Sequence, residues 1–144
     1  MLRPLAPADV DAVFAIQQSS PELAQWVRRD YERAAHGEMA GWVIEDSGKL
    51  AGFIVARQVA DEMEILNFAV ASDSRRRHLG TDLLRAVFDW GRANQIRKVF
   101  LEVRVSNVAA IAFYEHHKFA AVGRRAKYYL SPIEDAIILA AKLD

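Results

Sequence analysis

A chain of 144 residues has material for one compact domain, and 19 Lys plus Arg set against 19 Asp plus Glu leave no net charge to attract nucleic acid or an anionic membrane surface. Cysteine is absent, which excludes disulfides, thiolate metal sites and a cysteine nucleophile and suits a reducing compartment. Met1 to Val10 lacks the basic start and apolar run of a secretory signal, and no apolar stretch is long enough to span a bilayer, so residues 1–144 are expected to form one cytoplasmic domain.

Leu2 to Leu5 reads as a short leading strand. Asp9 followed by Val10, Val13 and Phe14 predicts a first helix. After the Ser20-Pro21 break, Leu23, Trp26, Val27, Tyr31 and Ala34 keep helical spacing as far as Gly37 and predict a second. Three antiparallel strands follow, at Trp42 to Ile44, Leu50 to Val55 and Ile65 to Val70, with Asp46-Ser47-Gly48-Lys49 as a hairpin turn. The period then returns to helix, with Leu79, Leu83, Val87 and Trp90 forming a stripe that closes near Asn94. Val99 to Val103 is a buried strand, Asn107 to His116 a helix with Ser106 as its N-cap, and Phe119 to Leu143 a pair of strands around Ser131-Pro132. Strands alternating with helices imply an α/β chain with a mixed sheet and helices packed on it.

Three places could carry chemistry. Arg75-Arg76-Arg77-His78-Leu79-Gly80-Thr81 joins a buried strand to an amphipathic helix, where unpaired backbone N–H groups, mobile arginines and a glycine without a side chain suit a phosphate. The same run would also serve as a solvated charge cluster capping a helix. In Val99-Phe100-Leu101-Glu102-Val103 a carboxylate interrupts an apolar strand, where burial would raise its pKa toward that of a general base, or where a cation such as Arg104 would pair with it. Asn107 and Tyr114 lie seven residues apart on one helix face with Ala110 and Ile111, so the phenol could line a groove as a proton donor or simply fill the core. His36, His116 and His117 show no metal-ligand spacing, so no metal is expected.

The order of these segments resembles the GNAT acetyltransferases: Glu64-Ile65-Leu66-Asn67-Phe68-Ala69-Val70, then Arg75 to Leu84, then Leu101 to Asn107, then Ala110-Ile111-Ala112-Phe113-Tyr114-Glu115. Tyr128-Tyr129 and Glu134 to Leu139 are similar to the RimI-like branch, the ribosomal-protein N-terminal alanine acetyltransferases. The resemblance implies an α+β fold with a mostly antiparallel, splayed sheet of about six to seven strands flanked by about four helices. It implies acetyl-CoA as co-substrate, met by the backbone of Phe68, Ala69 and Val70, by the loop over Arg75, Arg76, Arg77, His78, Leu79, Gly80 and Thr81, and by Asn107. It gives Glu102 as general base, Tyr114 as general acid and the Val70 N–H as donor to the thioester oxygen. Glu62 and Glu64, just before the Ile65 to Val70 strand, could instead orient an ammonium or a water and serve as the base, or could be exposed strand-edge charges.

Two departures stand out. His78 replaces the first glycine of the family's loop, and the connection Gln17 to Gln25 has Ser20-Pro21 and then Trp26 in place of an aromatic-Pro-Trp segment. The expected acceptor is a peptide or protein N-terminal α-amine, a ribosomal protein being the candidate. A small amine, a lysine side chain or a non-catalytic acyl-CoA-binding module are the alternatives. The partners expected are acetyl-CoA and the acceptor, with no nucleic acid or membrane, and the chain is expected as a monomer or homodimer.

Overall fold

The computed structural model describes residues 1–74 and 78–143. Its strands are β1 (Leu2–Pro4), β2 (Ala40–Asp46), β3 (Lys49–Val59), β4 (Glu62–Val70), β5 (Lys98–Arg104), β6 (Ala120–Leu130) and β7 (Ile133–Lys142). Its helices are α1 (Val10–Gln18), α2 (Arg28–Arg33), α3 (Leu79–Ala93) and α4 (Val108–His116). The strands form one seven-stranded sheet in the order β1-β2-β3-β4-β5-β7-β6. Neighbours run antiparallel except β4 and β5, which are parallel and joined through α3, as a parallel pair requires.

That parallel pair is short. Only Glu62, Met63 and Glu64 of β4 oppose Lys98, Val99 and Phe100 of β5. On its other edge β4 skips a residue, since Val55 faces Asn67 while Ala56 faces Ile65, leaving Leu66 as a bulge. A bulge bends the strand that carries it, and beyond it Ile65 to Val70 and Leu101 to Arg104 are no longer ladder partners. The sheet is therefore split open on one side.

Alternation along the strands feeds two cores. Phe53 and Val55 pack with Val10, Val13, Ile16 and Tyr31 under α1 and α2. Ile54 and Ala56 face the other way, against Leu83, Leu84 and Val87 of α3 and the buried Val99 and Leu101 of β5. The Asp46 to Lys49 turn has Ser47 at φ 57° and Gly48 at φ 77°, the two positive values that a tight hairpin needs. No helix among the described residues is long and apolar enough to cross a membrane.

The expected second helix is much shorter than its apolar spacing suggests. It begins at Arg28 and continues through a π-helical turn, Ala34–Glu38, that ends after Gly37 at φ 95°. The reason is a competition for backbone groups. Gln17 Nε2 donates to Trp26 O at 2.7 Å, Trp26 N donates to Gln17 Oε1 at 3.3 Å, and Asn67 Nδ2 donates to Ala24 O at 3.1 Å. Side chains from α1 and β4 thus hold the main chain of residues 24 and 26 in a loop, while Leu23 and Trp26 still pack on the core as their spacing suggested. The α4 cap is also shifted by one residue. Asn107 rather than Ser106 is its N-cap, with Oδ1 accepting from Ala110 N at 3.2 Å.

Leu83 is fully buried where α3 meets the sheet. Leu83→Ala is expected to lower the unfolding free energy by ~2–5 kcal/mol, read as a lower urea midpoint at unchanged slope. A loss below ~1 kcal/mol would mean that α3 does not anchor this core.

Candidate active site

The split between β4 and β5 opens into a cleft of about 770 Å3. Its lining includes Ile65 to Val70 from β4, Leu101 to Arg104 from β5, and Asn107, Ala110, Phe113 and Tyr114 around the start and inner face of α4. Glu22, Leu23 and Ala24 close one side, and Tyr129 of β6 joins the lining. Ala71 N donates to Ala51 O at 2.7 Å, and Ala69 stands opposite Phe53. In an antiparallel ladder such residues turn their backbone groups to the partner strand, so Phe68 and Val70 turn theirs to the cleft side.

Glu102 projects from β5 with its side chain 13% exposed. Its Oε1 lies 3.0 Å from Arg125 Nε, while Oε2 is buried and has no hydrogen-bond partner among the described residues. The expected competitor, Arg104, is engaged elsewhere: its Nη1 lies 3.1 Å from Glu134 Oε1, and its guanidinium stacks 4.2 Å from the centre of the Tyr129 ring. With Oε1 on the guanidinium, Oε2 is left as an acceptor for a hydrogen-bond donor in the cleft. Burial pushes the Tyr129 phenol up to about 12, with the negative charge of Glu102 adding to the effect.

Tyr114 is buried, 8% exposed, and its ring packs edge-on or tilted against Phe68, Phe113 and Phe119 at centroid distances of 6.2, 5.5 and 5.3 Å. Burial raises its phenol pKa well above the ordinary value. A phenol is protonated at neutral pH in any case, so the hydroxyl is available as a donor. Phe68 and Phe113 form an apolar contact at 5.8 Å beside Gly80. A Cβ built on Gly80 would stand 3.5 Å from Phe113 Cζ and 3.6 Å from Phe68 Cζ, so a methyl group fits there and a larger side chain would enter the cleft.

Of the residues singled out in the sequence, Phe68, Ala69, Val70, Gly80, Glu102, Asn107 and Tyr114 come together around this one cleft. Leu79 and Thr81 stand in the first turn of α3 but are not among its lining, and Arg75, Arg76 and Arg77 lie outside the described residues. Thr81 Oγ1 is 3.2 Å from His117 Nε2, tying the start of α3 to the end of α4. Glu62 and Glu64 sit on the paired stretch of β4, engaged by Arg97 and Arg57 at 2.8 Å each, and neither lines the cleft. Ile111 packs on the core rather than in the groove. Phe113 and Arg125 are the residues that motif reading missed. Phe113 was legible in its spacing of three from Ala110, whereas nothing local marks Arg125, which reaches Glu102 from two strands away.

Residues 9–119 match the model of the acetyltransferase (GNAT) family, and the chain belongs to that family. It is an acetyl-CoA-dependent N-acetyltransferase. It is 33% identical over 138 residues to the [ribosomal protein bS18]-alanine N-acetyltransferase of Escherichia coli K12, covering 94% of this chain and 93% of the relative. The enzyme of the same name from Salmonella typhimurium is 32% identical over the same shares. The crystal structure of the ribosomal-protein-S18-alanine N-acetyltransferase from Escherichia coli superposes with a TM-score of 0.89 at 31% identity, over 100% of this chain and 94% of that one.

His78 is exposed, precedes α3 and has φ 61°, a left-handed conformation that side chains with a Cβ adopt at a cost. This is the loop position at which the family pattern has glycine. His78→Gly is expected to leave stability unchanged or raise it by up to ~1 kcal/mol, after allowing for the greater unfolded-state freedom of glycine. A fall of more than ~1 kcal/mol in chemical denaturation would show that the imidazole makes a contact worth more than the strain it imposes.

Proposed function

We propose that the chain acetylates the N-terminal α-amine of a protein whose first residue is small, alanine above all, with a ribosomal protein as the candidate acceptor and Glu102 and Tyr114 as general base and general acid. The observation that carries this reading is the single cleft shared by Glu102 of β5, Tyr114 of α4 and the cleft-facing edge of β4. The acceptor follows the two relatives named for alanine N-acetylation, which match nearly the whole chain. A cytoplasmic location belongs to the same proposal.

Acetyl-CoA supplies an acetyl thioester, and its elongated pantetheine fits a cleft opened between two strands. In this reading the backbone edge of Phe68, Ala69 and Val70 receives the pantetheine and acetyl group. The pyrophosphate takes the start of α3, where Leu79, Gly80 and Thr81 present a helix N-terminus and Arg75, Arg76, Arg77 and His78 precede it. Asn107 spends Oδ1 on Ala110 N and keeps its Nδ2 as a donor for the same ligand. Glu102 takes a proton from the acceptor ammonium, directly or through a water. The amine then forms its bond to the acetyl carbon, the carbon–sulfur bond breaks, Tyr114 delivers its proton to the departing sulfur, and the second proton lost by the acceptor nitrogen restores the Tyr114 phenol through water.

An α-amine loses its proton near pH ~8 against ~10.4 for lysine, so it asks less of a carboxylate base at neutral pH. The acceptor enters between residues 22–24 and Tyr129, where an extended peptide can be held by main-chain groups.

Glu102→Gln and Tyr114→Phe are each expected to lower kcat by ~100-fold or more while the Kd for acetyl-CoA, measured by calorimetry, changes little. Near-normal turnover in both variants would defeat the assignment of roles. For the acceptor, alanyl peptides carrying an internal lysine are offered with a free or a blocked N-terminus, and products are mapped by mass spectrometry. Acetylation is expected only on the free N-terminus. Transfer to the lysine of the blocked peptide would replace the α-amine reading with a side-chain one.

A further inference from the structure

Gln17, Tyr31 and Asn67 are buried polar groups, 2%, 0% and 4% exposed, and Asn67 also borders the cleft. They come from α1, α2 and β4 and form one directed chain of hydrogen bonds. Asn67 Nδ2 donates to the Tyr31 hydroxyl at 2.8 Å, and that hydroxyl donates in turn to Gln17 Oε1. Asn67 Nδ2 also reaches Gln17 Oε1 at 3.4 Å. Further hydrogen bonds tie the cluster to the main chain of the α1–α2 loop, at Ala24 O, Trp26 O and Trp26 N. Burial raises the Tyr31 phenol pKa, so the hydroxyl stays a donor.

We propose that this cluster is a positioning device for the acceptor: it clamps residues 22–24, the wall of the cleft against which the acceptor lies, to the strand whose edge receives the acetyl donor. Two observations carry this. Glu22, Leu23 and Ala24 line the cleft from a segment with no helical hydrogen-bond ladder of its own. The side chain that holds Ala24 belongs to Asn67, next to the bulge and one residue before Phe68, so donor edge and acceptor wall share one anchor. Gln17 and Tyr31 stand outside the cleft lining, so they can act on it only through Asn67 and the loop. A buried polar network is costly unless every member is satisfied, and here the satisfaction depends on the loop staying in place. A cluster that only glued α1 and α2 to the sheet could do so with apolar contacts, as Val10, Val13 and Ile16 do.

The proposal rests on the reading that residues 22–24 face the acceptor, and its test is kept separate from the identity of that acceptor. Tyr31→Phe removes one hydroxyl and keeps a ring packed 5.1 Å from Trp26 and 5.5 Å from Phe53. In the full-length enzyme it is expected to raise KM for the acceptor about five- to tenfold, the scale of one lost hydrogen bond, with KM for acetyl-CoA within twofold. Asn67→Ala, which removes the side-chain donor to Ala24 O and leaves only Trp26 N on that carbonyl, should raise the acceptor KM further. Amide exchange of residues 20–27 should quicken in the folded Tyr31→Phe variant. The acceptor used is whichever amine the wild type acetylates, so a lysine or small-amine product ends the α-amine reading and leaves this test intact. Should Asn67→Ala fail to fold, Tyr31→Phe alone decides. An unchanged acceptor KM, or equal rises in both KM values, would overturn the proposal and leave the cluster as a core element only.

Discussion

The structure turns on how soon β4 and β5 stop pairing. Parallel strands in the middle of a sheet ordinarily share a ladder along their length, and each lost bond leaves a backbone donor or acceptor to be satisfied elsewhere. Here the ladder covers three residues on each strand and then ends, at the bulge on Leu66. The consequence is a cleft lined by main chain as well as side chains, open where Ile65 to Val70 leave Leu101 to Arg104. In the proposed function this split is where the elongated donor lies along β4.

The groups that border the cleft are held partly by one another and partly by residues outside it. α4 is capped by Asn107 and packed through Phe113 and Tyr114 against Phe68. α3 is pinned by Leu83, Leu84 and Val87 in the core and by the Thr81–His117 contact at its first turn. Glu102 is oriented by Arg125 from β6, and Arg104 is kept away from it by Glu134 and Tyr129.

Local features of the chain were legible as sequence. The hairpin at Asp46 to Lys49, the stripe of α3, and Glu102 as a lone charge in an apolar strand all depend on near neighbours, and the structure has each of them. The α1–α2 segment was legible only in part. Leu23 and Trp26 do face the core, but the path of the chain is decided by Gln17 and Asn67, and Asn67 lies 43 residues from the Ala24 carbonyl it holds. The Glu102–Arg125 pair was hidden for a related reason: it exists because β7 lies between β5 and β6, an order that no short-range pattern specifies. Glu62 and Glu64 resembled candidate bases until the register set them in the paired part of β4, among arginines.

The central claim is that the gap between β4 and β5 is where donor and acceptor meet. Its most direct test is a crystal structure with a conjugate in which coenzyme A is joined covalently to the N-terminal amine of an alanyl peptide. The pantetheine is expected along Phe68 to Val70, the pyrophosphate at the first turn of α3, and the alanine between residues 22–24 and Tyr129 with its nitrogen beside Glu102. A conjugate bound with its pantetheine outside the gap, or with the peptide leaving on the side away from Glu102, would contradict it.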